Sequence, residues 1–121
     1  MSLVILAEDE TQLRGLIAEM LESKGLSVAG AADGAEALQL IKDNPGAALL
    51  LSDIVMPNMD GYELVEASLK LRPELKVVMM TAYAADRPPP AALKAREIRT
   101  LVKPFDPDRM CTLIVDMLAR P

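Results

Sequence analysis

Leu49-Leu50-Leu51-Ser52-Asp53-Ile54-Val55-Met56-Pro57-Asn58-Met59-Asp60-Gly61 is the stretch on which the reading of this chain turns. The apolar run from Ala47 to Leu51 is short enough to be a strand buried on both faces. A carboxylate, Asp53, follows at once, and then a Pro/Asn/Asp/Gly cluster that reads as a loop. Open α/β sheets build their sites with buried strands that deliver a polar group to their C-terminal tips. Asp53 could equally be a turn or capping residue. The remaining segments decide between these roles.

Working outward in both directions, the pattern repeats. Leu3 to Ala7 reads as a buried strand ending at Glu8-Asp9-Glu10, and Ser27 to Ala31 as a second. Lys76 to Met80 forms another with Thr81 at its tip, and Ile98 to Val102 a fifth, followed by Lys103-Pro104-Phe105. Between them lie helical periods. Glu10 to Lys24 places Leu13, Leu16, Ile17, Met20 and Leu21 on one face, with Gly25 as a stop. Asp33 caps a helix over about Ala35 to Lys42, with Ala37, Leu38 and Ile41 inward. Asp60-Gly61 opens a helix to Leu71 with Leu64, Ala67 and Leu71 inward. Pro107 to Ala119 presents Met110, Leu113, Ile114, Met117 and Leu118. Pro88-Pro89-Pro90 forbids a regular helix across it, so the fourth helix is expected to be late and short, about Ala91 to Arg96. Five strand–helix alternations predict an α/β fold, a five-stranded parallel sheet with helices on both faces, as a single domain over residues 1–121. Right-handed crossovers bring every C-terminal strand end to one edge.

Composition narrows the function. Hydrophobic residues make up 51% and charged residues 26%, which suits a globular core rather than disorder. The net charge of -5, with no basic stripe, argues against binding nucleic acid or an anionic membrane. The absence of histidine removes imidazole catalysis and imidazole-ligated metals, and the lone Cys111 reads as a buried structural thiol. No signal peptide is evident, and no apolar run approaches the ~20 residues of a membrane span, so a soluble, cytoplasmic protein is expected.

At the common edge, Glu8 and Asp9, Asp53, Thr81 and Lys103 are expected to converge from four strands. Two carboxylates 4 Å apart repel by about 4 kcal/mol at an effective dielectric near 20. Such a cluster calls for a cation, and an all-oxygen donor set favours Mg2+ or a similar hard ion.

Ala7-Glu8-Asp9-Glu10, Asp53 to Gly61, Met80-Thr81-Ala82 and Lys103-Pro104-Phe105 stand in the order and spacing of a known family. Over essentially its whole length the chain resembles the receiver domain of two-component response regulators, of the chemotaxis-regulator type. The resemblance implies a flavodoxin-like (βα)5 sheet of order 2-1-3-4-5. It implies that Asp53 is the phosphoacceptor, taking a phosphoryl group from a phosphohistidine on a sensor histidine kinase or histidine phosphotransferase. Asp9, Asp53 and the backbone carbonyl of Val55 would ligate Mg2+, with Glu8 acting mostly through water. Lys103, with a cis bond to Pro104, and Thr81 would contact the phosphoryl oxygens. The only catalysis implied is of the domain's own phosphorylation and autodephosphorylation, the output being altered protein contacts. The chain could stand alone or belong to a hybrid kinase or larger regulator.

Three positions depart from the family. Glu8 stands where Asp is usual. Thr100 occupies the fifth-strand position that often carries an aromatic switch residue, which leaves Tyr83 as a candidate moving ring or an ordinary half-buried tyrosine. The three prolines fall where the main signalling helix is expected. Val55 and Tyr83 flank the acceptor, so apolar bulk is expected to slow hydrolysis relative to fast chemotaxis regulators. Two rival classes fit less well. A haloacid-dehalogenase-type phosphatase needs an acid where Val55 stands, and in a flavodoxin Glu8-Asp9-Glu10 would repel the cofactor phosphate. A degenerate, unphosphorylated receiver is disfavoured by the presence of Asp9, Asp53, Thr81 and Lys103.

Overall fold

A computed structural model describes residues 2–82, 90–94 and 98–120. The elements alternate as β1 (Leu3–Ala7), α1 (Thr11–Glu22), β2 (Ser27–Ala31), α2 (Gly34–Asp43), β3 (Ala47–Asp53), α3 (Gly61–Leu71), β4 (Lys76–Thr81), α4 (Ala91–Lys94), β5 (Arg99–Val102) and α5 (Pro107–Ala119). All strands pair in parallel, in the order β2-β1-β3-β4-β5. The doubly wound topology expected from the alternation is the one observed.

Strand alternation sorts the core into two layers. Ile5, Ala7, Leu50, Val77 and Met79 face one side, where they pack with Ala37 and Ile41 of α2 and Leu64, Val65 and Leu69 of α3. Val4, Leu6, Leu49, Leu51, Val78 and Met80 face the other, against Ile17 and Leu21 of α1 and Met110 and Ile114 of α5. Each fully buried aliphatic side chain contributes about 1.5–3 kcal/mol relative to exposure. Central β3 is buried almost throughout, which is why it reads as a continuous apolar run rather than an alternating one.

Two inward assignments need correction. Leu16 is 53% exposed and Leu71 is 50% exposed. The buried stripe of α1 centres on Ile17 and Leu21, and that of α3 on Gly61, Val65, Ser68 and Leu69. Each corrected leucine lies about 100° of helix rotation from its stripe's axis, at the rim. Cys111 is buried on the inner face of α5, as expected. Tyr83, Pro88, Pro89 and the expected end of the fourth helix at Arg96 lie outside the described residues.

Candidate metal and phosphoacceptor site

The site assembles at the C-terminal edge of the sheet because three strands end there in staggered steps. The β1 ladder continues one residue past the strand, where the Glu8 amide donates to the Ala31 carbonyl at 3.0 Å. Beyond β3, Ile54 N–H donates to Met80 O at 2.9 Å, and beyond β5, Lys103 N–H donates to Thr81 O at 2.7 Å. Glu8, Asp53 and Lys103 are thus fixed by backbone bonds at the rim.

The loop after Asp53 is held equally closely. Gly61 N–H donates to Ile54 O at 2.7 Å, folding the start of α3 back over the strand end. A Cβ at Gly61 would fall on the Asp53 carbonyl oxygen and 2.8 Å from Ile54 Cα, so only glycine permits this approach. Asp60 and Glu63 then close a reciprocal capping box that starts α3. Midway, Asn58 adopts a φ of 71° and its amide donates to Asp33 Oδ2 at 3.1 Å. Asp33 meanwhile caps α2 through Glu36 N–H at 2.8 Å, as its sequence position predicts.

Lys103 Nζ lies 2.7 Å from Glu8 Oε1 and 3.0 Å from Asp53 Oδ2, bridging two buried acids. The second oxygen of Glu8 accepts from Glu10 N–H at 3.1 Å. Asp9 is exposed beside them, and one carboxylate oxygen each from Glu8, Asp9 and Asp53 falls within 4.8 Å of the others. Thr81 is buried at the tip of β4, and Val55 is 62% exposed in the loop two residues past Asp53. Thr100 is exposed on β5, and Lys103-Pro104 is cis. Glu8, Asp9, Asp53, Thr81 and Lys103 therefore share one edge, Thr100 lies inside β5 opposite Met79, and Tyr83 lies outside the described residues.

The electrostatics carry the mark of crowded acids. Burial, together with the neighbouring Glu8 charge, outweighs the Lys103 hydrogen bond and pushes the Asp53 carboxyl up from 3.8 to about 6. Asp9 is raised by burial and by Glu8. Burial also works against the charge on Glu8, but the Lys103 and Glu10 hydrogen bonds more than reverse it and hold Glu8 below its ordinary value. On Lys103 the same contest, burial against two carboxylates, ends with the ammonium raised. Three carboxylates against one ammonium leave an excess of negative charge that a divalent, oxygen-seeking ion would balance. This donor set fits Mg2+.

One contributor carries no signal in the sequence. Arg14 of α1 donates from Nη1 to the Glu8 carbonyl at 2.8 Å. Nothing in the amphipathic pattern of α1 separates it from a solvent-facing cation.

With this geometry in view, the comparisons with known proteins are unambiguous. The response regulator receiver domain family model matches residues 4–115. The chain is 37% identical to the response regulator receiver protein CpdR of Brucella abortus (strain 2308), over 87% of each chain. It is 36% identical over 97% of its length to the sensor kinase CckA of the same organism, of which it spans 12%. Among solved structures it superposes on the receiver domain of the hybrid histidine kinase CckA with a TM-score of 0.82 at 27% identity, covering 97% of this chain and 99% of that one. It also superposes on response regulator TrrA from Thermotoga maritima, in complex with Mg2+-BeF, with a TM-score of 0.84 at 28% identity, covering 98% and 99%. The chain belongs to the response regulator receiver domain family. It is a signalling domain of two-component systems, a class whose members bind Mg2+ at an acidic pocket and engage histidine kinases or phosphotransfer proteins.

Proposed function

We propose that Asp53 is the residue that accepts a phosphoryl group, and that the surrounding edge is the machinery that transfers and reads it. The observation carrying this is Lys103, held 2.7 Å and 3.0 Å from two buried carboxylates at the tips of β1 and β3. An ammonium so placed can follow Asp53 when its oxygen becomes phosphorylated. An Asp53 carboxylate oxygen attacks phosphorus, the P–N bond to a donor histidine breaks, and the imidazole nitrogen retains the electron pair. With no histidine in this domain, the donor lies outside it, on a kinase or phosphotransfer protein. Glu8, Asp9, Asp53 and the Val55 carbonyl would hold Mg2+, which when bound supplies positive charge at the phosphoryl oxygens. Phosphoryl transfer relies on this kind of alignment and charge rather than on covalent help.

The added charge of about -2 then competes for Lys103 and for Thr81, which sit on adjacent strand ends joined by the Lys103–Thr81 backbone bond. Contact by Thr81 and Lys103 with the phosphoryl oxygens would pull the β4 and β5 ends toward Asp53. That movement would alter the surface offered to a downstream protein. Thr100 puts a small exposed residue where many receivers place an aromatic. The outward step therefore runs through something other than a β5 ring, with Tyr83 as the candidate. The domain catalyses only its own phosphorylation and dephosphorylation, and a cytoplasmic setting accompanies a kinase partner.

The test is intact-mass analysis after incubation with a small phosphodonor and Mg2+. Wild type should gain one phosphoryl group and Asp53→Asn none. Absence of any gain in wild type would identify a receiver that signals without phosphorylation.

A further inference from the structure

Glu8 is held at every polar atom by a protein partner, and one of those partners is a side chain of α1. Its N–H bonds to Ala31 O, Oε1 to Lys103 and Oε2 to Glu10 N–H, while its carbonyl accepts from Arg14 Nη1 at 2.8 Å. In a parallel ladder the carbonyl of Glu8 would next accept from a β2 amide two residues beyond Ala31. But β2 ends at Ala31 and the chain turns into α2. The guanidinium takes the place of that rung. Its stem is seated over Gly30 of β2, where a Cβ would stand 3.2 Å from Arg14 Cδ. A side chain at that position would press on the arm, so the absence of one leaves Arg14 its path across the strand.

We propose that Arg14 is a positioning residue for the divalent-cation site, fixing the peptide between Glu8 and Asp9 so that both carboxylates address Asp53. This rests on the reading of the acidic cluster as a Mg2+ site. Arg14 acts through backbone, not as a ligand. The peptide it holds is the one from which the exposed Asp9 departs.

The sign of the effect separates three roles. Arg14 is a cation near a cation site, so if it acted only by charge, its removal would tighten Mg2+ binding. If it only stabilised the fold, folded Arg14→Ala would bind Mg2+ as wild type does. Positioning predicts weaker binding, by about tenfold or more, as for other outer-shell partners of metal ligands. The experiment is isothermal titration with MgCl2 of wild type, Arg14→Ala and Arg14→Lys, at a temperature where each is folded by circular dichroism. Arg14→Lys keeps the charge but shortens the reach and should fall between the other two. Arg72→Ala is the control, because Arg72 also clamps main-chain carbonyls, those of Asn44 and Ala47, ahead of β3 and at its start. It should lower stability and leave Mg2+ affinity within about twofold, the effect expected of an interaction without a role at the metal. Unchanged or tighter binding in both Arg14 variants overturns the proposal. Failure of wild type to bind Mg2+ would instead overturn the metal-site reading beneath it.

Discussion

Asp53 is where the chemistry and the cost of this fold meet. Its carboxyl is pushed up to about 6 from 3.8, so between those values the folded protein binds more protons than the unfolded chain. Stability conferred by this group is therefore greatest at low pH and declines as pH rises through that window. Glu8, held below its ordinary value, works with the opposite sign below about 4.5. In EDTA, the melting temperature should fall as pH rises from about 4 to above 6, and Asp53→Asn should flatten that decline. Near neutral pH, Asp53→Asn should lack the cost of holding a buried carboxylate charged, and its stability should depend less on pH than that of wild type. A steeper decline in the variant would contradict the assignment. The same proton competes with a metal, so Mg2+ affinity should weaken as pH drops below about 6, readable by titration at two pH values.

Among the elements, the β3–α3 connection does most to place Asp53, the proposed acceptor. Its parts were visible in Asp53-Ile54-Val55-Met56-Pro57-Asn58-Met59-Asp60-Gly61 as a strand tip, a loop and a helix start. What the glycine does was not, because the crowding is with a carbonyl eight residues earlier. Gly61→Ala should cost about 1–3 kcal/mol through overpacking. It should also displace Asp53, lowering the phosphorylation rate beyond what the stability loss explains. Asp60→Ala, which removes the capping box, should cost about 1 kcal/mol and leave the rate nearly unchanged once the protein is folded. Urea denaturation alongside phosphodonor kinetics distinguishes the two. Equal rate effects from both substitutions would mean that the helix start as a whole, rather than the close approach at Gly61, sets the geometry.

For the whole molecule, the metal couples the site to the fold. The acids sit at the ends of β1 and β3 and their counter-charge just past β5, so an ion balancing them relieves repulsion between strand ends. Mg2+ at about 100 times its dissociation constant should stabilise the protein by about 2.7 kcal/mol. Thermal melts should show this as an upward shift of several degrees. The shift should shrink in Asp53→Asn. A Mg2+ response identical in wild type and Asp53→Asn would remove Asp53 from the donor set.

The order and kind of every described element, the parallel sheet, and the acids, hydroxyl and lysine of the edge are legible along the chain. These follow from period, run length and turn residues, which are local properties of the chain. Packing settles which rim leucines stay in water, since Leu16 and Leu71 carry the right residue type at the wrong helical angle. Only tertiary structure paired Lys103 with Glu8 and Asp53, split their proton affinities, and turned Arg14 from a helix cation into the missing rung beneath Glu8. Those outcomes depend on distances between residues far apart in sequence, and burial and Coulomb energy are set by such distances.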